Sequence, residues 1–400
     1  MSAARDSVAI VGAARTPFGK FGGAMRALSL PDLGSRAAVA ALERAAIGAD
    51  EVDELALGVN FPGSDRSIAR QVALQAGIPE DRNAYTVDRA CCSSLTAIGK
   101  AFRSVAAGEA RIALAGGAEN LSRVPYFLED MRWGHTLGRI ELVDQLVISC
   151  PHTGVPRAVQ AAVEAAEYGI GRVEQDEWAL RSQQRCADAI ANSRFDPEIV
   201  AVDVEDDGGI VQRVVADESP RPQTTLEVLG KLATVNGSST VTAGNAPGLS
   251  TGATSVVLMP TAEAERRSMP LLATVVATTM VSGPPQKVAS IPAVAARRVL
   301  DRAGVSLDDV ALIEINEAFA AVPLVSTLVL ADGDARAAER LREKTNVNGG
   351  AVAIGHPTGA TGARLVMTLA FELARRGGGL GLVTICGGIG EGEAVLIRVG

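Results

Sequence analysis

Hydrophobic positions follow two different periods that alternate along the first part of the chain. Short apolar runs at residues 7–13, 53–59 and 112–115 predict buried strands. Between them, apolar residues at three- and four-residue spacing predict helices over residues 30–47 and 68–76. Strands that alternate with helices in this order indicate a parallel sheet with crossover connections.

The stretch at residues 87–107 carries the most unusual pattern. It reads V-D-R-A-C-C-S-S-L-T-A-I-G-K-A-F-R-S-V-A-A, with one apolar helix face from Leu95 onwards. The two serines suit a first helical turn, so Cys91 is expected at or just before the helix N-terminus. The dipole there favours a thiolate, which predicts a lowered pKa for Cys91. The alternative is that Cys91 and Cys92 are small buried packing residues.

The alternation stops after the first 120 residues and resumes later. Residues 121–239 are irregular and polar, with one clear long helix predicted over 173–192. We interpret this part as an inserted, largely helical loop domain. One α/β half then comprises residues 1–120 plus 240–270, and a second comprises residues 271–400.

Two pairs of segments indicate an internal duplication of these halves. Residues 48–59 resemble residues 306–317, and residues 110–119 resemble residues 380–391. Each segment follows a helical pattern. Corresponding strand ends would meet near a pseudo-twofold axis, which is where ligands gather in sheets of this kind.

Composition and charge exclude several classes of function. The chain has 400 residues, enough for two or three domains, and a core rich in small aliphatic side chains. Its net charge of -8 and the lack of a basic stripe argue against nucleic-acid binding. The sequence contains neither the apolar core of a signal peptide nor an apolar run long enough to span a membrane. A cytoplasmic protein is therefore expected. The five irregularly spaced cysteines indicate neither a disulfide framework nor a metal site.

Four motifs combine glycine-rich backbone with chemically reactive side chains. They are Cys91, the N-E-A-F-A run beginning at Asn316, the G-H-P bend around His356, and the C-G-G-I-G run beginning at Cys386. Each residue has a simpler alternative role: His356 as a helix cap, Cys386 as a small strand-end residue, Asn316 as a turn residue. The chain has only three histidines, and His356 lies in its most glycine-constrained segment.

The order of the motifs resembles that of the thiolase family. The matching segments are A-R-T-P-F-G-K-F-G-G, C-C-S-S-L-T-A-I, G-G-A-E-N-L-S, T-V-T-A-G-N-A, N-E-A-F-A, N-V-N-G-G-A-V-A-I-G-H-P-T-G-A-T-G-A-R and C-G-G-I-G. They span nearly the whole chain. The resemblance implies an α/β thiolase fold, in which two duplicated halves form a five-layered αβαβα sandwich with an inserted loop domain.

The same resemblance implies a role for each reactive residue. Cys91 is expected to be the nucleophile that takes the acyl group as a thioester. His356 is expected to activate it and then bind the thioester oxygen, and Cys386 is expected to be the acid/base. Asn316 is expected to hold a water that stabilises the enolate oxygen. The backbone N–H groups of Cys91 and Gly388 are expected to form a second oxyanion hole.

The implied reaction is reversible, CoA-dependent cleavage of 3-ketoacyl-CoA, or the Claisen condensation of acyl-CoA with acetyl-CoA. Coenzyme A is then a co-substrate, and no permanently bound cofactor is expected. Contacts with acyl-CoA are expected at Ala246, Pro247, Ala318, Phe319 and Lys231. Fatty acid metabolism, including beta-oxidation, and a homodimer or homotetramer are further expectations from the family.

The sequence departs from the family pattern at two places that concern the substrate. Pro247 stands where the family usually has a serine that helps to hold the pantetheine arm. Residues 157–162 read R-A-V-Q-A-A in place of the usual M-G-x-T-A-E, which predicts an unusual acyl substrate.

Two other functions remain open at this stage. One is a ketoacyl-synthase-like condensing enzyme, against which Cys386 argues because those enzymes pair their cysteine with histidine or asparagine. The other is a non-catalytic thiolase-like subunit that binds acyl-CoA.

Overall fold

The computed structural model describes residues 7–146, 149–205 and 208–400. Strands account for the main sheet and for two small hairpins. They are β1 (Val8–Arg15), β2 (Gly19–Lys20), β3 (Glu54–Gly58), β4 (Asn83–Val87), β5 (Ala113–Asn120), β6 (Tyr126–Phe127), β7 (Val143–Asp144), β8 (Val202–Glu205), β9 (Val211–Val214), β10 (Ser250–Pro260), β11 (Ala273–Ser282), β12 (Val310–Ile315), β13 (Gly379–Cys386) and β14 (Glu391–Val399).

Helices alternate with these strands in both halves, and three more lie in the described part of the segment between the halves. They are α1 (Leu30–Ala45), α2 (Ile68–Gln75), α3 (Ser93–Ala106), α4 (Arg157–Glu167), α5 (Arg172–Ala191), α6 (Leu226–Gly230), α7 (Thr261–Arg266), α8 (Ile291–Ala303), α9 (Ala321–Leu330), α10 (Ala335–Glu343), α11 (Ala351–Ile354) and α12 (Thr361–Arg375). Among the described residues, no helix is both long and apolar enough to cross a membrane.

The two predicted halves are present as two matching groups of strands. The first has the order β4-β3-β5-β10-β1, with β3 parallel to both β4 and β5 and the remaining pairs antiparallel. The second has the order β12-β13-β14-β11, again with a parallel pair at the outer end. Strands β3 and β12 each follow a long helix and a short 3-10 turn, Ala49–Glu51 or Leu307–Asp309. The predicted duplication is therefore confirmed.

The layers follow from where the apolar side chains are buried. Helices α1 and α2 share one buried cluster with the first half, and α8 and α9 share another with the second half. Helices α3 and α12 lie between the halves, because their residues are buried together with inner-face residues from both, such as Ala115 and Ile385. This is the predicted five-layered αβαβα arrangement. The halves also join edge to edge, where Val8 on β1 pairs with Val275 on β11.

Between β5 and β10, the described residues form three α-helices and the two small hairpins. Helix α5 (Arg172–Ala191) confirms the long helix predicted over residues 173–192. Helix α4 was not predicted: its alanine-rich sequence has no side-chain cap at either end. Both helices pack against α9 of the second half, which brings this segment over the end of the sheet.

Strand β5 is longer than its sequence predicts. The apolar run predicted a strand over residues 112–115, but the strand continues through the glycines to Asn120. A Cβ at Gly116 would lie 1.9 Å from the Thr254 carbonyl oxygen, and one at Gly117 would lie 1.9 Å from that of Gly359. These glycines therefore permit close backbone contact inside the sandwich rather than a change of direction.

Candidate active site

The predicted reactive residues converge on one cavity of 1120 Å³ at the strand ends. Cys91, His356, Cys386 and Gly388 all line it. Asn316 lies directly behind them, with its amide nitrogen 3.3 Å from Nε2 of His356. Four separate parts of the sequence thus supply one site.

Cys91 lies on a tight turn that ends where α3 begins. Ala90 has a φ of 49°, a conformation that non-glycine residues rarely adopt, and it turns the backbone just before Cys91. Cys92 is the N-terminal cap residue of α3 and is fully buried, with its Sγ 3.8 Å from the Ile385 carbonyl oxygen. Cys91 is only partly buried and faces the cavity. The two adjacent thiols therefore have different environments.

The predicted lowering of the Cys91 pKa is wrong. Burial of the thiol, followed by the nearby Cys386 and Glu119, raises the pKa of Cys91 well above its ordinary value. The dipole argument fails because the loss of hydration on burial outweighs the groups that favour a thiolate, which are the charge of Arg157 and a backbone N–H at Cys91. The resting group is a thiol, and its proton must leave during attack.

His356 is held by a glycine bend that the sequence singled out. Gly355 has a φ of 108°, and a Cβ there would lie 2.6 Å from Oγ of Ser250. That close approach lets the His356 N–H donate to the Ser250 hydroxyl at 3.0 Å. His356 does not cap a helix, which was the alternative, because α12 begins five residues later, at Thr361.

The contacts of the imidazole select one tautomer. Nδ1 of His356 lies 2.7 Å from the Thr361 hydroxyl, which donates its own hydrogen to the Pro357 carbonyl. The hydroxyl must then accept from an N–H at Nδ1. Nε2 is left with a lone pair, which accepts weakly from the Asn316 amide. Nε2 is therefore the nitrogen that can take a proton inside the cavity.

His356 is neutral in this environment. Burial first, and the positive charge of Arg364 second, lower the pKa of His356 to about 3. In the resting site, the His356 imidazole and the Cys91 thiol are therefore both neutral, and they do not form an imidazolium–thiolate ion pair.

Cys386 and Gly388 reach the cavity from the turn after β13. Burial raises the pKa of Cys386 to about 12, so this second thiol also rests protonated. A Cβ at Gly388 would lie 3.1 Å from Cβ of Ala90, beside the turn that carries Cys91. The absence of a side chain at Gly388 keeps its backbone exposed to the space between the two thiols.

Sequence reasoning missed Glu119, which connects the two halves beneath the histidine. Its carboxylate accepts from the backbone N–H groups of Asn60, Phe61 and Gly359 and from the Thr358 hydroxyl, at 2.6–3.1 Å. The signal was an acidic residue two positions after the buried glycines of β5. A carboxylate in that position is costly to bury unless several donors bond to it.

Glu317 was also overlooked, although it follows Asn316 directly. It accepts from the Trp178 indole and the Ser182 hydroxyl of α5, and from the Asn346 amide. It therefore fixes the inserted segment against the loop that leads to His356. Both residues support the site without lining the cavity.

Four of the five residues predicted to contact acyl-CoA line the same cavity: Ala246, Pro247, Ala318 and Phe319. The structure does not bring Lys231 there. Its side chain is 72% exposed at the end of α6, where it pairs with Glu227.

Comparison with family models identifies both halves of the chain. Residues 8–262 match the model "Thiolase, N-terminal domain", and residues 269–399 match "Thiolase, C-terminal domain". The chain belongs to the thiolase family. The resemblance that the motifs indicated is confirmed.

Known proteins agree over the full length of this thiolase chain. It is 41% identical to a probable acetyl-CoA acetyltransferase of Escherichia coli (strain K12) and 38% identical to an acetyl-CoA acetyltransferase of Syntrophomonas wolfei, with 98% of each chain covered in both cases. Human mitochondrial 3-ketoacyl-CoA thiolase superposes with a TM-score of 0.93 at 38% identity, covering 100% of both chains. Its complex with CoA gives a TM-score of 0.92 at 37% identity, covering 99% of this chain and 98% of that one.

These relatives establish the class of reaction. The chain is a CoA-dependent acyltransferase with thiolase activity, and acyl-CoA compounds are its substrates. They favour this function over a ketoacyl synthase and over a non-catalytic acyl-CoA-binding subunit.

Proposed function

We propose that this thiolase works through an acyl-cysteine at Cys91, with His356 and Cys386 as its proton carriers. The observation that supports this most directly is that Cys91, His356 and Cys386 line one cavity, with Asn316 against the imidazole. In cleavage, the Cys91 sulfur attacks the 3-keto carbonyl, the bond between carbons 2 and 3 breaks, and the thiol of CoA then releases the acyl group.

The first step is transfer of the Cys91 proton to Nε2 of His356. Nε2 has the lone pair for this, because Thr361 holds the hydrogen on Nδ1. The weak contact from Asn316 must give way when Nε2 takes the proton. Since both groups rest neutral, transfer occurs as the sulfur attacks, and a thiolate does not accumulate.

The second proton belongs to carbon 2 of the acetyl unit. In cleavage, the Cys386 thiol donates its proton to the enolate that leaves as acetyl-CoA; in condensation, its thiolate removes that proton. A sulfur whose pKa is raised to about 12 is a strong base once ionised, as deprotonation next to a thioester requires.

Two groups of donors stabilise the oxygens that gain negative charge. Asn316 and His356 act on the enolate oxygen, with a water held by the Asn316 amide. The backbone N–H groups of Cys91 and Gly388 act on the oxygen of the tetrahedral intermediate. One such donor contributes roughly 3–4 kcal/mol to transition-state stabilisation.

The inserted segment at residues 121–239 is proposed as the loop domain that binds CoA. The two halves are residues 1–120 plus 240–270 and residues 271–400; residues 1–6, 147–148 and 206–207 of this division lie outside the described residues. The pantetheine arm would contact Ala246, Pro247, Ala318 and Phe319. A contact between Lys231 and CoA remains a prediction. CoA acts as a co-substrate, and no permanent cofactor takes part.

We further propose that the chain forms a homodimer or homotetramer. Support comes from β4, which lies at one end of the sheet and, among the described residues, has a partner strand on one side only. An unpaired strand edge is a template for pairing with a second copy. A cytoplasmic location and a role in fatty acid metabolism, including beta-oxidation, remain predictions that fractionation and growth of a deletion strain on fatty acids would test.

The proposed function is tested by CoA-dependent cleavage of a 3-ketoacyl-CoA series, from acetoacetyl-CoA to long chains, with the purified protein. Cleavage with acyl label on Cys91 after a quench is the expected result. Cleavage with label on Cys92 alone would overturn the assignment of the nucleophile. No cleavage by folded protein of any member, or of a 3-ketoacyl-CoA with a substituted acyl chain, would overturn the proposed function.

A further inference from the structure

Arg157 brings a positive charge to the reacting end of the cavity. It is the first residue of α4 and lines the cavity together with Cys91 and Cys386. Its Nη2 lies 3.4 Å from the position that a Cβ on Gly388 would occupy. The guanidinium therefore borders the space in which the bonds of the substrate are broken and formed.

This cation has no acidic partner in the described part of the chain. Nη1 of Arg157 donates to the Gln160 side-chain oxygen at 2.9 Å, and that is its one hydrogen bond with described residues. By contrast, Arg89, the other arginine of the cavity lining, pairs with Glu391 at 3.1 Å and with Glu393 at 2.9 Å.

None of the described acidic residues that line the cavity pairs with Arg157. Asp88 accepts from the Ala90 N–H at 3.0 Å, Asp144 accepts from the Leu146 N–H at 2.9 Å, and Glu391 pairs with an arginine. A partly buried guanidinium with unused donors and no counter-ion is costly to desolvate, unless the bound substrate supplies an anion.

The position of Arg157 indicates which part of the substrate that anion belongs to. The phosphates of CoA are separated from its thioester by the whole pantetheine arm, whereas Arg157 borders Gly388 beside the two thiols. An unsubstituted fatty acyl chain offers nothing to a guanidinium. A carboxylate on the acyl group accepts its N–H donors in a charge-assisted and often bidentate geometry.

We propose that Arg157 selects acyl groups that carry a carboxylate, so that the substrates are 3-ketoacyl-CoA esters of dicarboxylic acids. The inference rests on the thiolase reaction and on the site described above. The chemistry at the thioester is unchanged: the carboxylate takes no part in bond making or breaking, and it only anchors the far end of the acyl chain. Arg157 is thus a specificity-determining residue.

The test compares 3-ketoadipyl-CoA with 3-ketohexanoyl-CoA, which have the same chain length and differ in the terminal carboxylate. The wild type is expected to favour 3-ketoadipyl-CoA in kcat/KM by tenfold or more. Arg157→Met is expected to reduce that ratio ten- to hundredfold, the effect of one charge-assisted hydrogen-bond pair. Arg157→Lys should retain part of the preference, and Arg132→Met, at an exposed arginine outside the cavity, should retain all of it.

Three results would contradict this role of Arg157 or the proposed function itself. If Arg157 only stabilises the thiolates, Arg157→Met will lower kcat/KM equally for both substrates and slow alkylation of Cys91 at a given pH, which overturns the inference. A wild type that prefers 3-ketohexanoyl-CoA also overturns it, while the proposed function stands. A folded wild type that cleaves neither substrate contradicts the proposed function.

Discussion

The adjacent residues Cys91 and Cys92 have the same side chain but lie in different environments. Cys91 and Cys92 are neighbours in sequence, but the strained turn at Ala90 points one thiol into the cavity, while the start of α3 buries the other. Cys92 is 0% exposed and packs below the turn of Gly387, where a Cβ would lie 3.1 Å from its sulfur. Chemistry at this site is therefore decided by backbone geometry, not by residue type.

We expect Cys91→Ala to abolish cleavage and Cys92→Ala to retain it, with some loss of stability. The first change removes the sulfur that bonds to the acyl group. The second removes a buried packing atom, which costs about 1 kcal/mol or slightly more through the cavity it leaves. Activity and iodoacetamide mapping check this together: label on Cys91 in the wild type and in Cys92→Ala supports it, and label on Cys92 in the wild type contradicts it.

Thr361 is expected to act as a positioning residue for the imidazole. Thr361→Val removes the acceptor of the Nδ1 hydrogen, so the wrong tautomer becomes accessible and kcat should fall about tenfold, in line with one lost hydrogen bond. Thr361→Ser keeps the hydroxyl and should restore most of the rate. Equal kcat values for the valine and serine variants would show that the hydroxyl does not matter, and a melting curve for each controls for folding.

The motifs alone were enough to predict which residues meet in the cavity, but not their ionisation. The resemblance of the ordered motifs to the thiolase family implied that Cys91, His356, Cys386 and Gly388 share one site, and all four line the cavity. The direction of the Cys91 pKa shift depends on how deeply the thiol is buried and which charges surround it. Those quantities arise from contacts between distant segments, as do the four donors that surround Glu119.

At the scale of secondary-structure elements, an ionic network joins α3 of one half to β14 of the other. Glu393 on β14 accepts from the Thr96 hydroxyl of α3 and from Arg89, which also pairs with Glu391. Burial raises the pKa of Glu393 to about 7, even though these donors lower it. A titratable contact thus holds α3, which follows Cys91, to β14, which pairs with the strand that ends at Cys386.

The stability of Glu393→Gln relative to the wild type should therefore depend on pH. Because the pKa of Glu393 is raised, its protonation stabilises the wild type at low pH, and that contribution is lost as pH rises from about 4.5 to about 7. Over this pH range, the free energy of unfolding of the variant should increase relative to that of the wild type by at most about 1.4 kcal/mol per pH unit. Urea unfolding midpoints from pH 5 to pH 8 measure the trend.

Glu391→Gln is the matched control, since it removes the other carboxylate that pairs with Arg89 from a position that is 26% exposed. A difference between Glu393→Gln and wild type that stays constant with pH would contradict the prediction.

Periodicity located most elements to within a few residues, and its failures have two causes. Helix α4 escaped prediction because alanine-rich sequence without caps has no clear boundary signal. The end of β5 was predicted too early because its glycines are required by close backbone contacts with Thr254 and Gly359, which are more than 130 residues away in sequence. A pattern within one window cannot report contacts that the rest of the fold imposes.

At the scale of the whole molecule, the sheet ends in a strand whose outer edge is open. Asn83 donates to the Asp53 carbonyl, and Val87 accepts from the Val59 N–H, so odd-numbered residues of β4 face β3. The N–H groups of Ala84 and Thr86 therefore face outward. This edge is where we expect a second copy to pair.

Ala84→Pro should convert the oligomer to a monomer without breaking the sheet. Proline at position 84 removes an N–H group that points away from β3. An edge strand tolerates proline at such a position because no hydrogen bond between β4 and β3 is lost. Ala84→Val, which keeps the N–H, is the control. Sedimentation equilibrium distinguishes them: an unchanged mass for the proline variant, or a monomeric wild type, would contradict the proposed pairing.

The position of β1 in the sheet has a consequence for synthesis on the ribosome. Val8 pairs with Pro260 and Val275, so strand β1 is synthesised before both of its partner strands, which are encoded some 250 residues later. At about 5–20 residues per second, that delay is roughly ten to fifty seconds. During it, an almost wholly apolar segment has no sheet to enter. The nascent chain must therefore be shielded until much of it has emerged, and the first half cannot complete its fold ahead of β10.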